Sequence, residues 1–96
     1  MKLDEIIQQK RDEILRIAAR HGARNLHLFG SLARGDAKLG SDLDLLVQLD
    51  PSRSLLDLIA IKQDLEDLLG CEVDVVTEAA ISPYIREQVL KEAVPL

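Results

Sequence analysis

The apolar positions change period several times along the chain. Leu3, Ile6, Ile7, Ile14, Ile17 and Ala18 fall at helical spacings, with Asp4 and Glu5 in the first turn and Gly22 placed as a C-cap. One opening helix is expected. Residues 25–29 (Asn-Leu-His-Leu-Phe) read as a short strand ending at Gly30. A polar stretch over residues 31–41 follows, broken by Gly35 and Gly40, with one helical turn expected at residues 31–34. Residues 42–49 alternate again as a strand, and Asp50-Pro51-Ser52 end it. Ser54 then caps a helix carrying Leu55, Leu58, Ile59, Leu65, Leu68 and Leu69, with Asp57 three residues after the cap and Gly70 closing it. Residues 72–76 form a third strand. Ser82-Pro83 suits a cap and first helical position, and Ile85, Val89 and Leu90 repeat helically after it.

Strands alternating with helices predict an α/β (α+β) class, with a small three-stranded mixed sheet flanked by helices. No repeat, low-complexity tract or linker interrupts the pattern. One domain over residues 1–96 is expected, since 96 residues suffice for one core and not for two.

Composition narrows the classes. No apolar run approaches the roughly 20 residues of a membrane span, and the charged N-terminus lacks a signal peptide's apolar middle. The expectation is a cytoplasmic protein. Cys71 is the one cysteine, so no internal disulfide can form. The formal net charge is -5, and there are one Phe, one Tyr and no Trp. Without a basic face or stacking platforms, a long nucleic-acid substrate is disfavoured. A single nucleotide is not, because a metal ion can neutralise its phosphates.

Gly30-Ser31 lies where a strand hands over to a helical turn, a junction that offers unpaired N–H groups and a favourable dipole to an anion. Gly30 permits close backbone approach, Ser31 adds a hydroxyl donor, and Arg34 adds a guanidinium fork three residues on. Together they suit a triphosphate tail. Taken alone, the pair is equally the mark of an ordinary tight turn.

Strand alternation puts Asp42 and Asp44 on one face, about 7 Å apart. Leu43, Leu45, Val47 and Leu49 face the other way, into a core. Paired carboxylates repel, and a hard divalent cation such as Mg²⁺ relieves that repulsion. Asp74 joins them if its strand neighbours theirs, because Glu72, Asp74 and Val76 share a face opposite Val73 and Val75. Such a triad can bind two metal ions, one lowering the pKa of an attacking hydroxyl and one stabilising the departing phosphate. The bland alternative is a solvated strand face.

The run Gly30-Ser31-Leu32-Ala33-Arg34-Gly35-Asp36, then four residues, then Ser41-Asp42-Leu43-Asp44-Leu45 resembles the signature of the DNA polymerase beta-like nucleotidyltransferases. In detail it is similar to the minimal nucleotidyltransferases of bacteria and archaea. The resemblance implies a nucleotidyltransferase fold, phosphates held by Gly30 and Ser31, and Mg²⁺ on Asp42 and Asp44. It also implies Asp74 as a third ligand or general base, and Arg34 positioning the nucleotide or pyrophosphate. The implied activity is Mg²⁺-dependent transfer of AMP from ATP to a tyrosine of a HEPN-domain toxin, with this chain as the antitoxin. A non-catalytic antitoxin that occludes its partner, and transfer to a small molecule, are the alternatives.

So small a chain has little room for an acceptor pocket, so the acceptor site is expected from a partner. Exposed apolar residues of the last helix, or of the Leu55 to Leu69 segment, are its candidate surface. His21 and His27 have no partners at ligand spacing, and His27 reads as a polar strand residue. Cys71 reads as a small buried hydrophobe, Tyr84 as a partly buried helix residue, and Lys38 and Arg86 as solvated charges. Asp36 suits a bond to its own loop.

Overall fold

The computed structural model describes residues 3–29 and 43–96. Helices α1 (Leu3–Gln9) and α2 (Arg11–Arg20) lead into strand β1 (Ala23–Phe29). Strand β2 (Leu43–Leu49), helix α3 (Leu55–Leu69) and strand β3 (Val73–Thr77) follow. A 3-10 turn (Glu78–Ala80), helix α4 (Pro83–Glu92) and strand β4 (Val94–Pro95) complete the order.

Two expectations are corrected. The opening helix is divided at Lys10, whose backbone sits at φ -103, ψ 14. Helical bonds still run through it, from Lys10 N–H to the Ile6 carbonyl at 3.0 Å and from Ile14 N–H to Lys10 at 2.9 Å. The result is a break in assignment within one apolar stripe, and neither Pro nor Gly marks it in the sequence. The sheet has four strands, in the order β3-β2-β1-β4, instead of three. Strand β4 is two residues long, so it carries no readable period. Its Pro95 is tolerated because an edge strand need not donate every N–H. Leu96 N–H extends this edge to the Leu26 carbonyl at 2.9 Å.

The sheet is mixed. β1 runs antiparallel to β2 and β4, and β2 runs parallel to β3. The parallel pair needs a crossover, and α3 supplies it. That helix starts on a complete capping box, in which Ser54 N–H bonds the Asp57 carboxylate at 3.0 Å and the Ser54 hydroxyl accepts from the first turn. It stops at Gly70, which takes the left-handed φ of 69°.

One face of the sheet carries the core. Leu43, Leu45 and Val47 from β2, Val73 and Val75 from β3, and Ala23 and Leu26 from β1 pack with Ile7, Ile14, Ala18, Ile61, Leu65 and Leu69 from the helices. Each fully buried Leu or Ile contributes about 1.5–3 kcal/mol. Leu46 and Ile81 are also buried but stand outside that cluster. Leu46 alternates with Leu45 and Val47, so it faces the other side of the sheet, where α4 approaches β1. No described helix is long and apolar enough to cross a membrane.

Candidate functional site

The chemistry gathers on the face that the core does not use. In the parallel β2–β3 ladder Asp44 is the register partner of Asp74. In the antiparallel β1–β2 ladder Asp44 is opposite Phe29, the residue before Gly30. Asp44 therefore sits in the middle of the sheet, half-buried, with an aromatic ring's strand on one side and a second carboxylate's strand on the other. Asp74 lies on the edge strand and is exposed.

This placement explains the electrostatics. Burial pushes the Asp44 carboxyl above its usual range, and the neighbouring charge of Asp74 pushes it further the same way. A raised carboxylate beside a second carboxylate, both with oxygen donors, matches a divalent cation of the Mg²⁺ type. Among the described residues no cluster of three metal-ligating side chains forms, so the expected triad is represented by two of its members. Gly30, Ser31, Arg34 and Asp42, with the helical turn expected at residues 31–34 and with Asp36 and Lys38, lie outside the described residues.

A cleft of about 530 Å³ opens along the same face, towards the far end of β2. Leu46 and Leu90 give it apolar walls, and Asn25, His27, Gln48 and Glu78 give it polar ones. A β-bulge between Arg24 and His27 shapes its β1 side. There Asn25 adopts φ 52°, a left-handed value that Asn tolerates better than most residues, and its amide bonds the Gln48 side chain. The Asn25 carbonyl also lies 2.8 Å from His27 Nδ1. A carbonyl can only accept, so Nδ1 carries the proton in that contact and Nε2 is the acceptor of the neutral ring.

The structure changes several single-residue expectations. Tyr84 is 97% exposed, where partial burial was expected, because it stands on the outer side of the first turn of α4. Arg86 is half-buried, not a solvated charge: Nη2 donates to the Ile81 carbonyl at 3.3 Å, and Nε is enclosed with no partner among the described residues. His21, unpartnered in the sequence reading, lies 3.2 Å from Asp64 and 3.8 Å from Asp57 where α2 meets α3. Those carboxylates are 36 and 43 residues away, so only the fold joins them. Cys71 is half-buried against the core.

Two residues near the site escaped the sequence reading altogether. Lys62 and Glu66 of α3 form an i,i+4 ion pair at 2.9 Å, and both reach the backbone of Val73, next to Asp74. The Lys-x-x-x-Glu spacing was legible, yet it describes many exposed helix faces.

Comparison with known proteins gives this geometry a family. The pattern that defines the nucleotidyltransferase domain matches residues 8–96. A Methanocaldococcus jannaschii protein with the provisional name protein adenylyltransferase is 42% identical over 88 residues, covering 92% of this chain and 95% of its own. Protein adenylyltransferase MntA of Thermococcus cleftensis is 43% identical over 75 residues, covering 78% of this chain and 76% of its own. Among solved structures, one described as a minimal nucleotidyltransferase shares 49% identity with a TM-score of 0.85, over 100% of this chain and 97% of that one. A variant of the toxin-antitoxin MntA-HpeT shares 25% identity with a TM-score of 0.64, over 100% of this chain and 72% of that one. The chain belongs to the nucleotidyltransferase domain family and is a nucleotidyltransferase of the minimal type.

Proposed function

We propose that residues 1–96 act as one nucleotidyltransferase domain that moves AMP from ATP to a hydroxyl, a tyrosine, of a HEPN-type toxin partner, and so serve as the antitoxin of the pair. The observation that carries this is the in-register Asp44–Asp74 pair, one member half-buried and raised in pKa, on a strand that begins just after the Ser41-Asp42 end of the motif. The names of the relatives, protein adenylyltransferase and toxin-antitoxin, support the acceptor class.

Asp42, Asp44 and Asp74 hold Mg²⁺ in this reading. The bound ion supplies a lowered pKa at the attacking hydroxyl and charge neutralisation at the departing pyrophosphate. Gly30 and Ser31 bind the phosphates through N–H and hydroxyl donors, and Arg34 orients the nucleotide or its leaving group. The cleft beside Asp44 gives a substrate group space on the same face, with His27 Nε2 and the Gln48 and Glu78 side chains as polar contacts.

The test is mass spectrometry of the toxin partner after incubation with this protein, ATP and Mg²⁺. A gain of AMP residues on a tyrosine is expected, and none when Asp44 and Asp74 are both replaced by Asn. Unmodified toxin bound tightly to the wild-type protein contradicts the reading and favours occlusion instead.

A further inference from the structure

Strand β3 carries Asp74 on the edge of the sheet, where only β2 holds it by a ladder. In a parallel pair, one strand's residue bonds the two residues flanking its partner. Leu43 is the partner of Val73, and Leu43 N–H donates to the Glu72 carbonyl at 3.1 Å. The N–H and C=O of Val73 therefore point outward, away from β2. Unpaired outward groups leave an edge strand free to slip or to pair elsewhere.

Here neither group is unpaired. Val73 N–H donates to Glu66 Oε2 at 3.0 Å, and Lys62 Nζ donates to the Val73 carbonyl at 2.6 Å. Lys62 Nζ also donates to the same Glu66 oxygen at 2.9 Å. One carboxylate and one ammonium, a helical turn apart on α3, thus act as a substitute strand for a single residue. That residue immediately precedes Asp74, and a slip by one residue would turn Asp74 to the core face and Val73 or Val75 to the site. The hydrogen bond with Lys62 and that with Val73 hold the Glu66 carboxyl below its usual range. The hydrogen bond to Glu66, and after it the attraction of Glu66, Asp74 and Glu72, hold the Lys62 ammonium above its own.

We propose that Lys62 and Glu66 are positioning residues, a clamp on the outward peptide groups of Val73 that fixes the register of β3 and so holds Asp74 beside Asp44 for metal binding. The proposal rests on the reading of Asp74 as a metal ligand.

Three variants separate a clamp from a simple ion pair. Glu66→Gln keeps an oxygen that accepts from Val73 N–H. Glu66→Leu removes it. The exchange Lys62→Glu with Glu66→Lys keeps an ion pair but sets a carboxylate against the Val73 carbonyl and an ammonium against its N–H. The measurements are Mn²⁺ affinity by calorimetry and amide hydrogen exchange across Val73, Asp74 and Val75. Glu66→Leu and the exchanged pair should bind Mn²⁺ about tenfold or more weakly, as supporting residues of metal sites do, with faster exchange confined to β3. Glu66→Gln should stay close to the wild type in both. Wild-type affinity and exchange in the exchanged pair would overturn the clamp while leaving the metal reading intact. A wild-type protein that binds no Mn²⁺ would remove the metal reading and overturn the proposal with it.

Discussion

At the scale of single residues, Asp44 is held against its own preference. Its folded pKa is raised, by burial first and by Asp74 second, so the folded state binds its proton more tightly than the unfolded chain does. Stability then falls as pH rises from the ordinary value of 3.8 through the raised one, and the cost is fully present at neutral pH. In EDTA, Asp44→Asn should therefore melt higher than the wild type at pH 7, and this advantage should vanish below about pH 3.8, where both forms are neutral. The same substitution should lower nucleotidyl transfer by about a hundredfold or more. A stabilising change that destroys activity is the signature of a functional site. Gly22 illustrates the opposite case. Its φ is 78°, and an added Cβ would lie 2.5 Å from Arg53 Cγ. Gly22→Ala should cost about 1–2 kcal/mol in chemical denaturation, with little change in transfer by the folded fraction.

At the scale of elements, the legible parts were those with a period or a cap. The α3 helix is bounded as Ser54, Asp57 and Gly70 indicate, and Ser54→Ala should cost about 1 kcal/mol of unfolding free energy while leaving transfer unchanged. The alternation of β2 and β3 was also readable, which is why Leu43, Leu45, Val73 and Val75 were placed in the core and Asp44 and Asp74 opposite them. What the sequence withheld depends on non-local pairing. Val94–Pro95 becomes a strand only because β1 has a free edge, and the bulge at Asn25 exists only relative to β2. The pairing of His21 with Asp57 and Asp64, and the reach of Lys62 and Glu66 to Val73, need α3 docked across the sheet. The break at Lys10 has no local residue that announces it.

At the scale of the whole molecule, the chain spends its helices on one face of the sheet and leaves the other for chemistry. The surface also keeps apolar residues that a solitary protein has no need to show, with Leu55 69% and Leu56 75% exposed in the first turn of α3. A protein that modifies another protein needs such a surface. Leu55→Asp together with Leu56→Asp should change stability by no more than about 0.5 kcal/mol per site and weaken binding of the toxin partner by about tenfold or more, as read by calorimetric titration. Unchanged affinity would move the interface elsewhere, for example to Tyr84 and Ile85 on α4.

The central claim is that the Asp44–Asp74 pair supports transfer of a nucleotide to that partner. Single-turnover transfer from ATP labelled at the α-phosphate, comparing the wild type with Asp74→Asn at saturating Mg²⁺, tests it most directly. The account predicts label on the partner with the wild type, and loss of about two orders of magnitude in rate with the variant while partner binding is preserved. Equal rates from the two proteins, or no label from a wild type that binds ATP and partner, would contradict it.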